Sequence, residues 1–176
     1  MGPTEIFRPT FSRVLAYALW VLLAFIAISA TVGTSGSVRL RVITGCIFAA
    51  TVVVLFYFRP YVEVSDGGIL LANPLKTTML PWPAIESTEI HGSFNVQTVD
   101  GMKHSSYAAT IANKRNDLGL AGEVKKFSDN RLEALSAAGY LNDIRPEGAP
   151  VTVTRNIAGL VAISATALAF LITLFT

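Results

Sequence analysis

Residues 59–107 read RPYVEVSDGGILLANPLKTTMLPWPAIESTEIHGSFNVQTVDGMKHSSY, a series of short apolar segments divided by tight-turn residues. Val62 and Val64 alternate with Tyr61 and Glu63, the period of a half-buried strand. Asp66-Gly67-Gly68 then supplies a turn before Ile69, Leu70 and Leu71, which predicts a hairpin. Asn73-Pro74 turns the chain again, and Lys76 to Leu80 is the expected third strand. Pro81-Trp82-Pro83 breaks that strand, because proline cannot donate to a ladder. Trp82, fixed between two prolines, is the candidate anchor of the domain core. From Ile90 the alternation continues, with Gly92, Phe94, Val96 and Thr98 on its face and His91, Ser93, Asn95 and Gln97 on the other. Asp100-Gly101 is a two-residue hairpin signal with Lys103 to Tyr107 as the return strand. That register sets Val99 opposite Met102 and Gln97 opposite His104, several rungs from His91, so the two histidines do not share a metal ion on this hairpin.

Downstream, Thr110 to Phe127 is polar, carries Gly119 and Gly122, and reads as a loop with room for one strand. Asn130 followed by Glu133 has the form of a capping box, predicting a helix over Arg131 to Ala138 that Gly139 stops. Leu132 and Leu135 give this helix an apolar side suited to closing the open end of a small barrel. Pro146, Gly148 and Pro150 read as a linker, and Val151 to Thr154 as an extended lead into the last apolar run of the chain.

Working outward, 52% of the 176 residues are hydrophobic, and the excess is gathered into three uncharged runs: Val14 to Val32, Val42 to Phe58 and Ile157 to Phe175. At about 1.5 Å per residue the longer runs reach roughly 28 Å, close to the hydrocarbon thickness of a bilayer. Three transmembrane helices are therefore expected, the first two joined by the short turn GTSGS at 33–37 and so antiparallel neighbours. MGPTEIFRPTFSR reads as an interfacial lead, with Tyr17 and Trp20 next in the first turns of the span. The expected organisation is a lead and transmembrane hairpin over 1–58, a polar domain over 59–145, and a linker with the third span over 146–176. In that span Ala158, Ala162, Ala165 and Ala169 fall on one helical face. Small-residue faces let helix backbones approach closely in lipid. With Trp20 these alanines are the candidate helix-packing residues, facing either this chain's own spans or another membrane protein.

Arg8, Arg13, Arg59, Arg145 and Arg155 lie on the side of the N-terminus and polar domain, against Arg39 and Arg41 on the other. The excess of arginine places the N-terminus and polar domain in the cytoplasm and the C-terminus outside, in a multi-pass plasma-membrane protein. The net charge is +2, and no basic field of the kind that binds nucleic acid is present. Lys114, Arg115, Lys125 and Lys126 are interleaved with acidic residues and read as a solvated loop. Cys46 is the one cysteine, which excludes an internal disulfide and a cysteine-based metal site. No G-x-S-x-G, P-loop or H-E-x-x-H segment occurs, and Glu63, Glu86, Glu89 and Asp100 read as surface charge. A non-enzymatic protein without metal or cofactor is expected.

The turn Val64-Ser65-Asp66-Gly67-Gly68-Ile69, the segment Asn73-Pro74-Leu75-Lys76, and Leu80-Pro81-Trp82 followed by Ile85 resemble, in order and spacing, the bacterial pleckstrin-homology (PH-like) membrane proteins, particularly of actinobacteria. The resemblance covers roughly Tyr61 to Ala108. It implies an α+β membrane protein: three transmembrane helices carrying a small PH-like antiparallel β-barrel or sandwich closed by a C-terminal helix. The first hairpin loop departs from the phosphoinositide-binding members of the wider fold. It is acidic at Asp66 where they carry lysine and arginine, so phosphoinositide binding is not implied. The small-residue face of the last span makes an accessory or assembly subunit of a larger membrane complex the expected role. The candidate is the actinobacterial cytochrome bcc–aa3 oxidase respiratory supercomplex, with its respiratory-chain subunits and the lipid bilayer as partners. The alternative is a membrane-tethered module that binds lipid headgroups or a cytoplasmic peptide.

Overall fold

The structure is a computed structural model, and it describes residues 4–110, 119–141 and 150–175. The fold is α+β. The chain divides into a polar unit, Met1–Pro9 with Pro60–Arg155, and a helical unit, Thr10–Arg59 with Asn156–Thr176.

In the polar unit, sheet A has the order β1 (Glu5–Phe7), β2 (Tyr61–Ser65), β3 (Gly68–Ala72), β4 (Lys76–Pro81) and β8 (Thr152–Arg155), with every pair antiparallel. Sheet B is β5 (Ile85–Ile90), β6 (Ser93–Thr98) and β7 (Lys103–Thr110). Among the described residues the two sheets do not join into a closed barrel, which corrects the barrel expectation. The break falls at Trp82–Ala84, a single 3-10 turn where Pro83 removes a ladder donor between β4 and β5. The core lies between the sheets. Val62, Val64, Ile69, Leu71 and Leu80 enter it from sheet A, and Ile85, Phe94 and Val96 from sheet B.

Trp82 is 3% exposed, and its indole N–H donates to the carbonyl of Ser65 at 3.0 Å. The side chain therefore ties the break between the sheets back to the first hairpin, a bond worth about 1 kcal/mol net. A third layer comes from α3 (Gly119–Ala137), which buries Ala121, Val124 and Ser128 along one face. The helix thus begins at Gly119 rather than Arg131. Asn130 lies in its middle and caps nothing, and only its end near Ala137 agrees with the sequence reading. Thr110 to Phe127 is not a loop throughout, since 119–127 is helical. Residues 111–118, with Lys114 and Arg115, and 142–149, with Arg145, Pro146 and Gly148, lie outside the described residues.

Three further corrections concern register. The lead is not merely interfacial: Glu5, Ile6 and Phe7 pair with Val64, Glu63 and Val62. The run from Ile90 to Thr98 is not one strand. It turns at His91 and Gly92, where Gly92 has φ +75°, and β5 precedes it. The Asp100-Gly101 turn holds three residues instead of two. The Thr98 amide donates to the Met102 carbonyl at 2.9 Å and Gly101 sits at φ +75°, so Val96 faces His104 and Gln97 faces Lys103.

In the helical unit α1 (Thr10–Gly33), α2 (Gly36–Val53, continued by a π-helical turn over Val54–Phe58) and α4 (Ile157–Phe175) are each long and apolar enough to cross a membrane. α2 is the middle helix and packs against both others. Phe58, in the π turn, meets Tyr17 and Trp20 of α1 edge to face at 5.1 and 6.3 Å between ring centres. Phe170 of α4 stacks on Phe48 at 6.2 Å and approaches Gly45, where a side chain would stand 3.1 Å from its ring.

Gly68 stands at a close approach of β3 to β4, because at φ +144° a Cβ there would collide with the Leu80 carbonyl. Gly68→Ala is expected to lower the stability of the polar unit by roughly 2–4 kcal/mol, from strain and a displaced strand pair together. Thermal unfolding of the full chain in detergent measures this, and an unchanged midpoint would contradict the packing described.

Candidate functional site

The alanine face of α4 is set by helical spacing alone, and its surroundings by what the other face does. Gly159 lies against Leu55, Phe170 against Phe48 and Gly45, and Thr173 against Thr44, with 2.9 Å between the two hydroxyls. These contacts turn one side of α4 toward α2. Ala158, Ala162, Ala165 and Ala169 stand apart from them, and all four are exposed. They are not buried by this chain's own helices, so of the two occupants the sequence allows, packing against its own spans is not what the described residues display. Trp20 is 47% exposed and borders a narrow apolar cleft of about 220 Å³ between α1 and α2, with Ala24, Ala27, Cys46 and Ala50. Trp20 and the alanines lie on different helices and are not brought together.

The two arginines at the turn between α1 and α2 are tied to helix ends. Arg39 donates from Nε and Nη2 to the Thr34 carbonyl at 3.0 and 2.6 Å. Arg41 donates from Nε to the Thr173 carbonyl at 2.8 Å, in the last turn of α4. Cations here complement the negative ends of the helix dipoles.

In the polar unit, a groove of about 680 Å³ runs between β5 and α3. Thr88 donates to Asp129, which is also paired with Lys125 one helical turn away. Lys125 is thus on a helix and neutralised, not on a solvated loop. Glu86 and Glu133 line the groove, and Leu132 and Leu141 supply its apolar part. β5 is an edge strand of sheet B, so its outer side borders this groove. Asp66, the acidic residue of the first hairpin turn, is paired with Arg131 of α3.

Among the described residues no three His, Cys, Asp or Glu side chains converge as a metal site. His104 Nε2 is buried without a hydrogen-bond partner. Burial, and secondarily the charge of Lys76, hold the imidazole below its ordinary value of 6.5. No family model, curated protein or solved structure matches this chain.

Because the folded state disfavours protonated His104, its contribution to stability is complete above about pH 6.5 and is lost as pH falls below that value toward the folded pKa. NMR titration of the ring should give a midpoint under 6.5 that rises in Lys76→Gln. A midpoint unmoved by that substitution would remove Lys76 as a cause.

Proposed function

We propose that this chain is a non-enzymatic accessory subunit of a larger membrane protein complex, using its helices to pack and its polar unit to brace the complex on one side of the bilayer. The observation that carries this reading is the unburied stripe of Ala158, Ala162, Ala165 and Ala169. In lipid, where release of water does not drive helix association, a flat small-residue face gains most from a closely packed neighbouring helix. Arginine distribution supports a cytoplasmic polar unit and N-terminus with the C-terminus outside. The resemblance to bacterial PH-like membrane proteins supports a PH-like polar unit and makes the actinobacterial cytochrome bcc–aa3 oxidase supercomplex the candidate assembly. The groove between β5 and α3 favours a second reading, a tethered module that takes an extended peptide along an open strand edge.

A tagged full chain, isolated from its native membrane in mild detergent, is expected to run in a large assembly. The double substitution Ala162→Leu, Ala165→Leu should cut recovery of the partner roughly tenfold, the effect of overpacking by a little over about 1 kcal/mol. Migration of the unaltered chain only as a free 18.9 kDa species would sink the proposal. Retention of a soluble peptide by a chain that assembles with nothing else would favour the second reading.

A further inference from the structure

The register of sheet A gathers one kind of residue at one end. Phe7 faces Val62, Tyr61 faces Ala72, Ala72 faces Thr77, and Lys76 faces Arg155. The end of β1, the start of β2 and the end of β8 therefore share one rim of one sheet. These are also the three places where the chain passes to α1, from α2 and to α4, across Arg8-Pro9, Arg59-Pro60 and Asn156. The rim carries Arg8, Lys76 and Arg155, all exposed. The strand-end positions Phe7, Tyr61, Ala72, Lys76 and Arg155 include no carboxylate, and Glu5 lies further along β1, opposite Val64.

Three other cations of the polar unit are paired: Lys103 with Glu89 at 3.1 Å, Lys125 with Asp129, and Arg131 with Asp66. Among the described residues no carboxylate pairs with Arg8, Lys76 or Arg155. Arg8 instead lies over the ring of Tyr61, 5.0 Å from its centre. Beside Lys76, Leu75 is 41% exposed, an apolar side chain left at the same rim.

We propose that this rim is a contact surface for anionic phospholipid, with Arg8, Lys76 and Arg155 meeting headgroup phosphates and Leu75 dipping among them. Only Pro9 separates Arg8, and only Asn156 separates Arg155, from a helix that can cross a membrane, so along the chain each lies within two residues of a candidate span. Four strand spacings separate β1 from β8, about 19 Å, too wide for one small anion and suited to several adjacent headgroups. Lys76 and Arg155, being register partners, have side chains on the same face and can share one phosphate. The inference rests on the three helices crossing a bilayer and is independent of the accessory-subunit reading.

The test uses the full chain reconstituted in phosphatidylcholine bilayers containing spin-labelled phosphatidylglycerol or spin-labelled phosphatidylcholine. Electron paramagnetic resonance then gives the relative association of each lipid with the protein. The expected result is a severalfold preference for phosphatidylglycerol that weakens with salt, as a screened charge contact must. It should fall to near one in the triple variant Arg8→Gln, Lys76→Gln, Arg155→Gln and remain in Lys103→Gln, Lys126→Gln. Should the triple variant not fold, the single Lys76→Gln, at an exposed position, is expected to lower the preference on its own. No preference in the unaltered chain, or an equal one in the variants, overturns the proposal. So does selective displacement by inorganic phosphate at matched ionic strength, which would mark a soluble anion as the ligand.

Discussion

Antiparallel pairing in sheet A is the constraint on which the rest depends. β1 and β2 are neighbours in the sheet, yet the whole α1–α2 hairpin lies between them in sequence. An insertion of that size costs little more in closure entropy than a shorter one, since the cost grows only logarithmically with length. It is lowered further when the insertion returns its own ends together, and the Tyr17–Phe58 and Trp20–Phe58 ring contacts hold the start of α1 beside the end of α2. β8 repeats the device on the other edge, pairing with β4 just before α4 begins. Each edge strand is short, three residues in β1 and four in β8, which limits the open ladder that each offers to another chain.

The helical unit satisfies its polar groups locally, as a low-dielectric surrounding requires. Thr31, Thr34, Thr44, Thr51, Thr166 and Thr173 each return their hydroxyl to a carbonyl three or four residues back, and Thr44 also meets Thr173 across the α2–α4 contact. Arg41 ends in that same cluster. The pair of arginines that weighs against the positive-side count is thus engaged with the carbonyls of helix termini.

What was legible in the sequence is what local chemistry decides. The three apolar runs are helices, the Asp66-Gly67 turn joins β2 to β3, Asn73-Pro74 precedes β4, and Trp82 is buried where two prolines hold it. What was not legible depends on partners remote in the chain. Glu5–Phe7 and Thr152–Arg155 are too short to show a period, and become strands because β2 and β4 offer them open edges. The first half of α3 was hidden by Gly119 and Gly122, poor helix formers whose cost is offset by burying Ala121 and Val124. One residue of loop length at Asp100-Gly101 shifted the register of β7. The spacing of the alanines was plain in the sequence, but their openness became visible only when Gly159, Phe170 and Thr173 were seen to occupy the face toward α2.

The distribution of charge also bears on how the polar unit would work. Asp66–Arg131 and Lys125–Asp129–Thr88 link α3 to the first hairpin of sheet A and to β5 of sheet B, while Asn73 clips the β3–β4 turn to β7 through Ser105 and Tyr107, at 2.9 and 2.7 Å. The two sheets are therefore tied at several points beyond their shared core. Three chain passages from one sheet rim add covalent restraint to these ties. Opening such a unit would mean breaking these pairs or parting the strands of a sheet, so its resistance to unfolding is spread over both sheets and α3 together.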